Sequence, residues 1–143
     1  MMRYQIIYII LIAYLILGAG CNQRQAKRVC IRDVCVRSEL ALTPAEQSTG
    51  LMGRQYLAPD AGMLFIFARP ATHNFWMKNM FIPLDIIWIG EDKKIVDCHA
   101  SVQPCQEAAC PSISPRVPCQ DVLEVNAGFL QAYGITIGDE AKF

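Results

Sequence analysis

The sequence has little histidine and no excess of charge of either sign. Its 143 residues include two histidines, His73 and His99, and its 13 lysines and arginines balance 13 aspartates and glutamates. A nucleic-acid-binding surface needs clustered positive charge, and no basic patch stands out in this chain. The composition therefore argues against a nucleic-acid partner, and it leaves few residues for a histidine-based metal centre.

The usual spacings of catalytic residues are also missing. An enzyme needs a nucleophile with an activating base, a pair of carboxylates or a bound metal. No Ser–His or Cys–His spacing of that kind occurs, and no thiol is left over once the cysteines are paired as predicted below. We therefore lean away from an enzyme, and we predict no cofactor.

The longest apolar run is short for a transmembrane helix. It covers the fifteen residues IIYIILIAYLILGAG (6–20), whereas a spanning helix needs about 20. Small residues precede Cys21, as in bacterial lipoprotein signal peptides, although Gly18 stands where those signals usually have an aliphatic residue. We interpret residues 1–20 as a lipoprotein-type signal peptide and Cys21 as the lipid-modified N-terminus of the mature chain.

This interpretation places the protein in the cell envelope, held on a membrane surface by its lipid and facing the periplasm or the exterior. Residues 21–28 are predicted to be a polar tether, and residues 29–143 a single domain. The alternative is an uncleaved anchor, which the positive charges of Arg24, Lys27 and Arg28 after the apolar run favour.

The cysteines suggest disulfides rather than a metal site. Of seven cysteines, six remain if Cys21 carries lipid, and an even number in an exported chain indicates pairing. One pair brackets a turn, a second brackets a tight loop between prolines, and a third follows by elimination. The three predicted disulfides are Cys30–Cys35, Cys105–Cys110 and Cys98–Cys119.

Zinc is a poor alternative for these cysteines. Within each close pair, four residues separate the two cysteines, whereas zinc knuckles prefer two. Neither histidine falls in a ligand motif.

Alternation of apolar residues with a period of two predicts a mainly β (α+β) fold. Strands are predicted around residues 29–42, where a small hairpin can form the start, and around 62–68, 84–89, 93–102 and 120–126. Thr43, Pro44 and Glu46 mark the start of one short helix, and Asn126 is predicted to cap a second. Because strands outnumber helices, we expect a small, partly closed β-barrel or curled sheet with two short helices.

Several stretches of the sequence resemble one known family. They are TPAEQSTGLMGR, GMLFIF, FWMKNM followed by IPLDIIWI, VLEVNAG and the closing GD. Through them the chain is similar, from about Val34 to Phe143, to the domain of unknown function 192 family. The resemblance implies a compact β-rich domain, often exported, with no established activity. One departure is Met80, which stands where the family usually has threonine.

Charged residues within apolar stretches give the candidate site. Lys78 and Asp85 flank a corner at Pro83, where alternation along the chain would let their charges meet. A buried ion pair of this kind is often structural. The functional alternative is a small-molecule pocket with an aromatic wall and a few polar groups. Its predicted lining is Arg54, Trp76, Lys78, Asn79, Asp85 and Glu124.

A copper(I) site is a further possibility. Thioether and imidazole groups are ligands that copper(I) prefers, and the chain offers Met52, Met63, Met77, Met80 and His73. Three of these methionines lie in apolar runs, however, where methionine commonly fills a core. We therefore predict an organic ligand or a structural role before a metal.

Overall fold

The computed structural model describes residues 25–143. The predicted signal peptide and Cys21 lie outside the described residues. Within them, no helix is both long enough and apolar enough to cross a membrane.

The described chain forms one seven-stranded sheet and two short helices. The sheet order is β5-β4-β6-β3-β2-β1-β7. The elements, in chain order, are β1 (Ala26–Ile31), β2 (Val34–Ala41), α1 (Pro44–Thr49), β3 (Ala61–Ala71), β4 (Leu84–Ile89), β5 (Ile95–Val102), β6 (Cys119–Asn126), α2 (Phe129–Tyr133) and β7 (Ala141–Lys142).

Neighbouring strands are antiparallel, except that β2 and β3 run parallel. The sheet curls so that its two ends approach each other. The backbone N–H of Ile95 donates to the carbonyl of Asp139 at 2.9 Å, and that of Ala141 donates to Lys93 at 2.8 Å. These bonds join the start of β5 to the segment that leads into β7, and the half-barrel that results confirms the predicted fold class.

The sheet has an apolar core on each face because its central strands alternate as predicted. On β4, Ile87 and Ile89 enter one core, whereas Leu84, Ile86 and Trp88 enter the other. The first core contains Val29, Ile31, Val36, Leu40, Leu64, Ile87, Ile89, Ile95, Leu123, Val125, Phe129, Leu130, Ile135 and Ala141. The second core contains Ala41, Leu51, Leu57, Met63, Phe65, Met77, Met80, Leu84, Ile86, Trp88, Cys119 and Val122.

Loops rather than a second sheet cover the second core. Phe75 forms an isolated bridge with Ile113, and Lys78 forms one with Cys105. The segment 72–83 is therefore held against the loop 103–118, and both lie over the second core. The Cys105–Cys110 disulfide closes part of this cover.

Two of the three predicted disulfides are present, and the third is wrong. Cys30 is bonded to Cys35 and Cys105 to Cys110, whereas Cys98 and Cys119 are free thiols. Cys98 packs against the first core and Cys119 lies within the second, so the sheet separates their sulfur atoms. Burial raises the pKa of both thiols.

Two other local predictions also need correction. The predicted tether overlaps β1, which begins at Ala26 because Ala26 pairs with Glu39 and Arg28 with Arg37. Asn126 does not cap α2, since Gly128 occupies the N-cap position. The Asn126 amide instead donates to the carbonyls of Leu57 and Ala58.

The start of α1 is as predicted. Thr43 and Glu46 form a reciprocal capping box, and Pro44 is the first helical residue. Gly50 ends the helix with a positive φ of 49°, a conformation that glycine adopts readily because it has no Cβ.

Candidate functional site

Asp85 is a structural carboxylate rather than a partner of Lys78. It is completely buried, and its Oδ1 accepts hydrogen bonds from the backbone N–H groups of Ser101 at 2.7 Å and Gly128 at 3.2 Å. Its Oδ2 accepts from Leu130 at 2.8 Å, in the first turn of α2. A carboxylate is a strong acceptor for backbone N–H groups, especially at a helix N-terminus. Asp85 therefore fixes β5 and α2 to β4, and it does not line the pocket described below.

Lys78 lies beside an aromatic ring instead of a carboxylate. Its Nζ lies 5.6 Å from the centroid of the Trp76 ring, within the range of a cation–π contact. The ion pair that the sequence suggested with Asp85 is therefore not formed. Trp76 is 46% exposed, so this contact lies at the surface.

Two further predicted site residues have structural partners. The Arg54 guanidinium forms a two-pronged ion pair with Glu39, with N–O distances of 2.5 and 2.6 Å. Asn79 is exposed and turns the chain with a positive φ of 57°. Its carbonyl accepts from Gly53 at 3.0 Å, and its N–H donates to Cys105 at 3.1 Å. Arg54 and Asn79 thus position the segments around the pocket described below and do not line it.

Glu124 is the predicted site residue with no evident structural role. Its side chain lies on the second-core face of β6, between Met63 of β3 and Ile86 of β4. The residue is 5% exposed, and Oε2 is buried with no hydrogen-bond partner in the described part of the chain. Burial raises the pKa of this carboxyl to about 8, because an ionised carboxylate is poorly stabilised away from water.

Two other buried side-chain oxygens lack partners among residues 25–143, namely Ser38 Oγ and Asp121 Oδ1. Neither residue lines the pocket described below. Asp121 also has a cation beside it, since its other oxygen lies 2.5 Å from the Lys93 ammonium. Of the three, Glu124 is therefore the one whose unpaired oxygen belongs to a residue that lines the pocket.

A small pocket opens onto Glu124, with a volume of about 20 Å³. A cavity of this size holds about one water molecule. A Cβ added to Gly50 would lie 3.2 Å from the Phe65 ring and 3.8 Å from Glu124 Oε2, so the glycine helps to leave this space open. The lining residues are Gln47, Ser48, Thr49, Gly50, Leu51, Met52, Phe65, Phe75, Trp76, Met80 and Glu124.

The pocket includes two of the six predicted ligand-binding residues, Trp76 and Glu124. The wall that residues 47–51 contribute at the end of α1 was not predicted from the sequence. The motif TPAEQSTGLMGR, which carries part of the family resemblance, spans this wall and was the available signal. The capping residues of this motif predict a helix start, but they do not indicate a pocket wall.

The potential copper ligands are not all brought together. Met52 and Met80 line the Glu124 pocket, whereas Met63 and Met77 belong to the second core and do not line it. His73 stacks on Phe67, with ring centroids 3.6 Å apart. Across residues 25–143, no group of three or more histidine, cysteine, aspartate or glutamate side chains is placed to hold a metal ion.

A larger groove lies elsewhere on the surface. Its volume is about 460 Å³, and its lining includes Tyr56, Ile82, Asn126, Phe129 and Tyr133. The Asn126 amide is already hydrogen-bonded, and none of the described residues that line the groove has a buried polar side-chain atom without a partner. The smaller pocket is therefore the better candidate, since an unsatisfied buried acid calls for a ligand and an open apolar groove does not.

Comparison with protein families matches residues 27–143 to DUF192, described as Uncharacterized ACR. Comparison with curated proteins finds no match. A crystal structure of a Novosphingobium aromaticivorans protein of unknown function is similar, with 35% identity and a TM-score of 0.79, over 87% of this chain and 89% of that one. A Sinorhizobium meliloti protein described as a proposed transcription regulator has 36% identity and a TM-score of 0.79, over 86% and 97% of the two chains.

The role assigned to Asp85 predicts how stability responds to mutation. Asp85→Asn should lower the free energy of unfolding by about 2 to 4 kcal/mol, because an amide cannot accept all three backbone N–H groups. Lys78→Met should cost less than about 1 kcal/mol, since it removes an exposed cation–π contact. Urea unfolding of the single and double variants measures these values. The two losses should add, and recovery of stability in the double variant would restore the ion-pair interpretation.

Glu124 predicts a pH dependence of stability. The folded protein keeps the Glu124 proton up to about pH 8, whereas the unfolded chain releases it near 4.5. Between these values the folded state binds more protons, so the free energy of unfolding falls as pH rises, by up to about 1.4 kcal/mol per pH unit. This stabilisation is fully present below about pH 4.5 and is lost by about pH 8.

Glu124→Gln should remove this dependence. From about pH 5.5 to 7.5, the free energy of unfolding of the wild type should fall by about 2 to 3 kcal/mol more than that of the variant, because the amide does not titrate. Urea unfolding at the two pH values measures the difference, and the shared titrations of all other groups cancel in it. Parallel pH profiles for the two proteins would mean that Glu124 is ionised or paired.

Proposed function

The chain belongs to the DUF192 family, whose description assigns no activity, and we propose that this member is a binding module whose ligand enters the Glu124 pocket. The observation that carries the proposal is the buried Oε2 of Glu124, which has no partner among residues 25–143. Folded proteins pair nearly all buried polar atoms with protein groups, water or ligands. A buried carboxyl that has an unpaired oxygen and lines a pocket is therefore best explained by a molecule that binds there.

The small size of the pocket favours a ligand that inserts only a small part of itself beside Glu124. The space next to Glu124 has room for about one water molecule, so a single polar atom of the ligand would enter it. Trp76, which is exposed, and the ring of Phe75 both line the pocket, and they suit an apolar or flat remainder.

 The Phe75 ring also packs edge-on against Phe65, with centroids 4.8 Å apart, so this aromatic wall is rigid. One buried polar group beside aromatic walls is a common design for a small-molecule site.

Binding has better support than catalysis. The two free thiols, Cys98 and Cys119, have raised pKa values because they are buried, and a thiol must ionise to act as a nucleophile. Neither histidine lines the Glu124 pocket. The described pocket lining therefore contains no thiol, imidazole or second carboxyl group beside Glu124, and the hydroxyl groups of Ser48 and Thr49 have no histidine there to activate them.

Copper(I) binding is the second candidate function. Met52, Met80 and Glu124 line one pocket, and thioether sulfur is a ligand that copper(I) prefers. On this alternative, one copper(I) ion would bind per chain, and Met80→Leu would abolish binding. Binding that survives Met80→Leu would exclude this pocket as the metal site.

Export and attachment to a membrane by lipid at Cys21 are also part of the proposal. The disulfides Cys30–Cys35 and Cys105–Cys110 support an oxidising compartment. The apolar run that ends before Cys21 supports a lipoprotein signal. The domain would then meet its ligand at a membrane surface, in the periplasm or outside the cell.

The ligand site can be tested by an NMR screen of small acids, amides, amines and alcohols. Hits should shift the indole N–H signal of Trp76 in the wild type and fail to do so in Glu124→Leu, which keeps the bulk but removes the carboxyl. Tyr133→Ala is the matched control, because it alters the larger groove. Hits that survive Glu124→Leu and disappear in Tyr133→Ala would move the site to that groove.

The lipid anchor can be tested by fractionation. The wild type should sediment with membranes, and its N-terminal peptide should begin at an acylated Cys21. Cys21→Ser should yield either a soluble exported chain or an uncleaved precursor. Unchanged membrane retention of a Cys21→Ser chain already cleaved after Gly20 would contradict lipid attachment.

A further inference from the structure

We propose, resting on the ligand site above, that Glu124 binds its ligand as a neutral carboxylic acid that donates a hydrogen bond to a carbonyl-type oxygen. The ligand class is then a small organic carboxylate or amide rather than a cation. Two features carry this inference: the isolation of the carboxyl from positive charge, and the small space in front of it.

In the described part of the chain, no positively charged side chain lines the pocket beside Glu124. Among the lining residues, Glu124 is the one side chain that carries an acidic or basic group. The neighbours across the sheet, Met63 on β3 and Ile86 on β4, are apolar. The thiol of Cys119, on the same strand and core, is neutral because burial raises its pKa.

The charged groups on the surrounding segments are engaged elsewhere. On α1, the Glu46 carboxylate accepts the N–H groups of Leu42 and Thr43. After Met52, the Arg54 guanidinium is paired with Glu39. On the segment 72–83, the Lys78 ammonium lies over the Trp76 ring. Burial is accordingly the sole cause that raises the pKa of Glu124.

A neutral carboxyl in this setting needs an acceptor. Its O–H group is a donor, and an unpaired buried donor is costly. The space next to it takes about one water molecule, so one ligand oxygen can replace that water and accept the hydrogen bond. The rest of such a ligand would lie against Trp76, where the nearby Lys78 ammonium favours a carboxylate over a neutral amide.

A cationic ligand would require the opposite protonation state. A metal ion or an alkylammonium group needs the ionised carboxylate, so it must displace the proton of Glu124 and binds more tightly as pH rises. An acceptor ligand needs the protonated form and binds more weakly as pH rises. The direction of the pH dependence therefore separates the two classes.

The test uses the full chain in detergent micelles, labelled with 15N at tryptophan. Propionate and propionamide are the acceptor probes, and propylammonium and silver(I), a stand-in for copper(I), are the cation probes. Trp76→Phe assigns the Trp76 signal. The buried Trp88, whose indole N–H donates to the His73 carbonyl, serves as the internal reference.

Propionate and propionamide should shift the Trp76 signal. From about pH 6.5 to 9, their affinity should fall about tenfold, because the protonated fraction of a group with a pKa of about 8 falls by that factor. Glu124→Gln, whose amide still donates a hydrogen bond, should bind both probes with no such pH dependence. Lys78→Met should weaken propionate binding and leave propionamide binding unchanged.

Two outcomes would overturn the inference. If propylammonium or silver(I) binds in a Glu124-dependent way and more tightly at high pH, the pocket is a cation site and the proposed binding function stands. If none of the four probes shifts Trp76 while the broader screen finds Glu124-dependent hits of other chemistry, the acceptor class is wrong. Failure of both the probes and the screen removes the ligand site itself.

Discussion

The hydrogen bonds of the Asp85 carboxylate are the constraint on which the rest of the structure depends. Asp85 lies on β4, which is buried on both faces, and its oxygens bind backbone N–H groups at Ser101, Gly128 and Leu130. One side chain thus ties the end of β5 and the start of α2 to β4. The three N–H groups converge on the carboxylate, and their hydrogen bonds offset the cost of burying its charge, as a paired cation can do in other proteins.

Glu124 is the contrasting case on the neighbouring strand. In the register of β4 and β6, Asp85 pairs with Val125 and Ile86 pairs with Glu124, so the two acids point to opposite faces of the sheet. The first-core face supplies backbone donors to Asp85. The second-core face gives Glu124 methionine and aromatic neighbours and a small opening. A buried carboxyl group therefore has a structural role on one face of the sheet, and it forms a candidate ligand site on the other.

The cover of the second core decides whether that opening exists. Residues 72–83 are held by the loop 103–118 through the bridges at Phe75 and Lys78, and Trp76 lies between them. Gly50, at the end of α1, forms the opposite wall without filling it. The pocket thus depends on two loops and a helix end, while its acid comes from a central strand.

Much of this fold could be predicted from sequence because alternation is a local property. The opposite faces of Leu84 and Ile87 follow from the period of a strand, and the capping box at Thr43 follows from the spacing of three residues. The partners of Asp85 could not be predicted, since they are backbone groups that lie 16 to 45 residues away in the chain. Pairing Cys98 with Cys119 failed because elimination ignores which face of the sheet each cysteine occupies.

Part of the candidate site could also be predicted, because two of its residues interrupt local patterns in the sequence. Glu124 and Trp76 stand out in the sequence as a charge in an apolar strand and an aromatic residue beside polar ones. The isolation of Glu124 depends on how Arg54 and Lys78 find other partners, and this is a property of the folded chain. Arg54 binds Glu39, which lies 15 residues earlier, and no local pattern indicates that choice.

The central claim is that Glu124 is a buried acid whose Oε2 has no partner among residues 25–143, and its own titration tests that claim most directly. Selective 13C labelling of the glutamate side-chain carboxyl groups, with Glu124→Gln to assign the signal, gives the Glu124 chemical shift as a function of pH. The account predicts a midpoint near the value of about 8 that burial imposes, well above the ordinary value of 4.5. A midpoint at or below 4.5 would mean that Glu124 is hydrated or paired, and it would contradict the account.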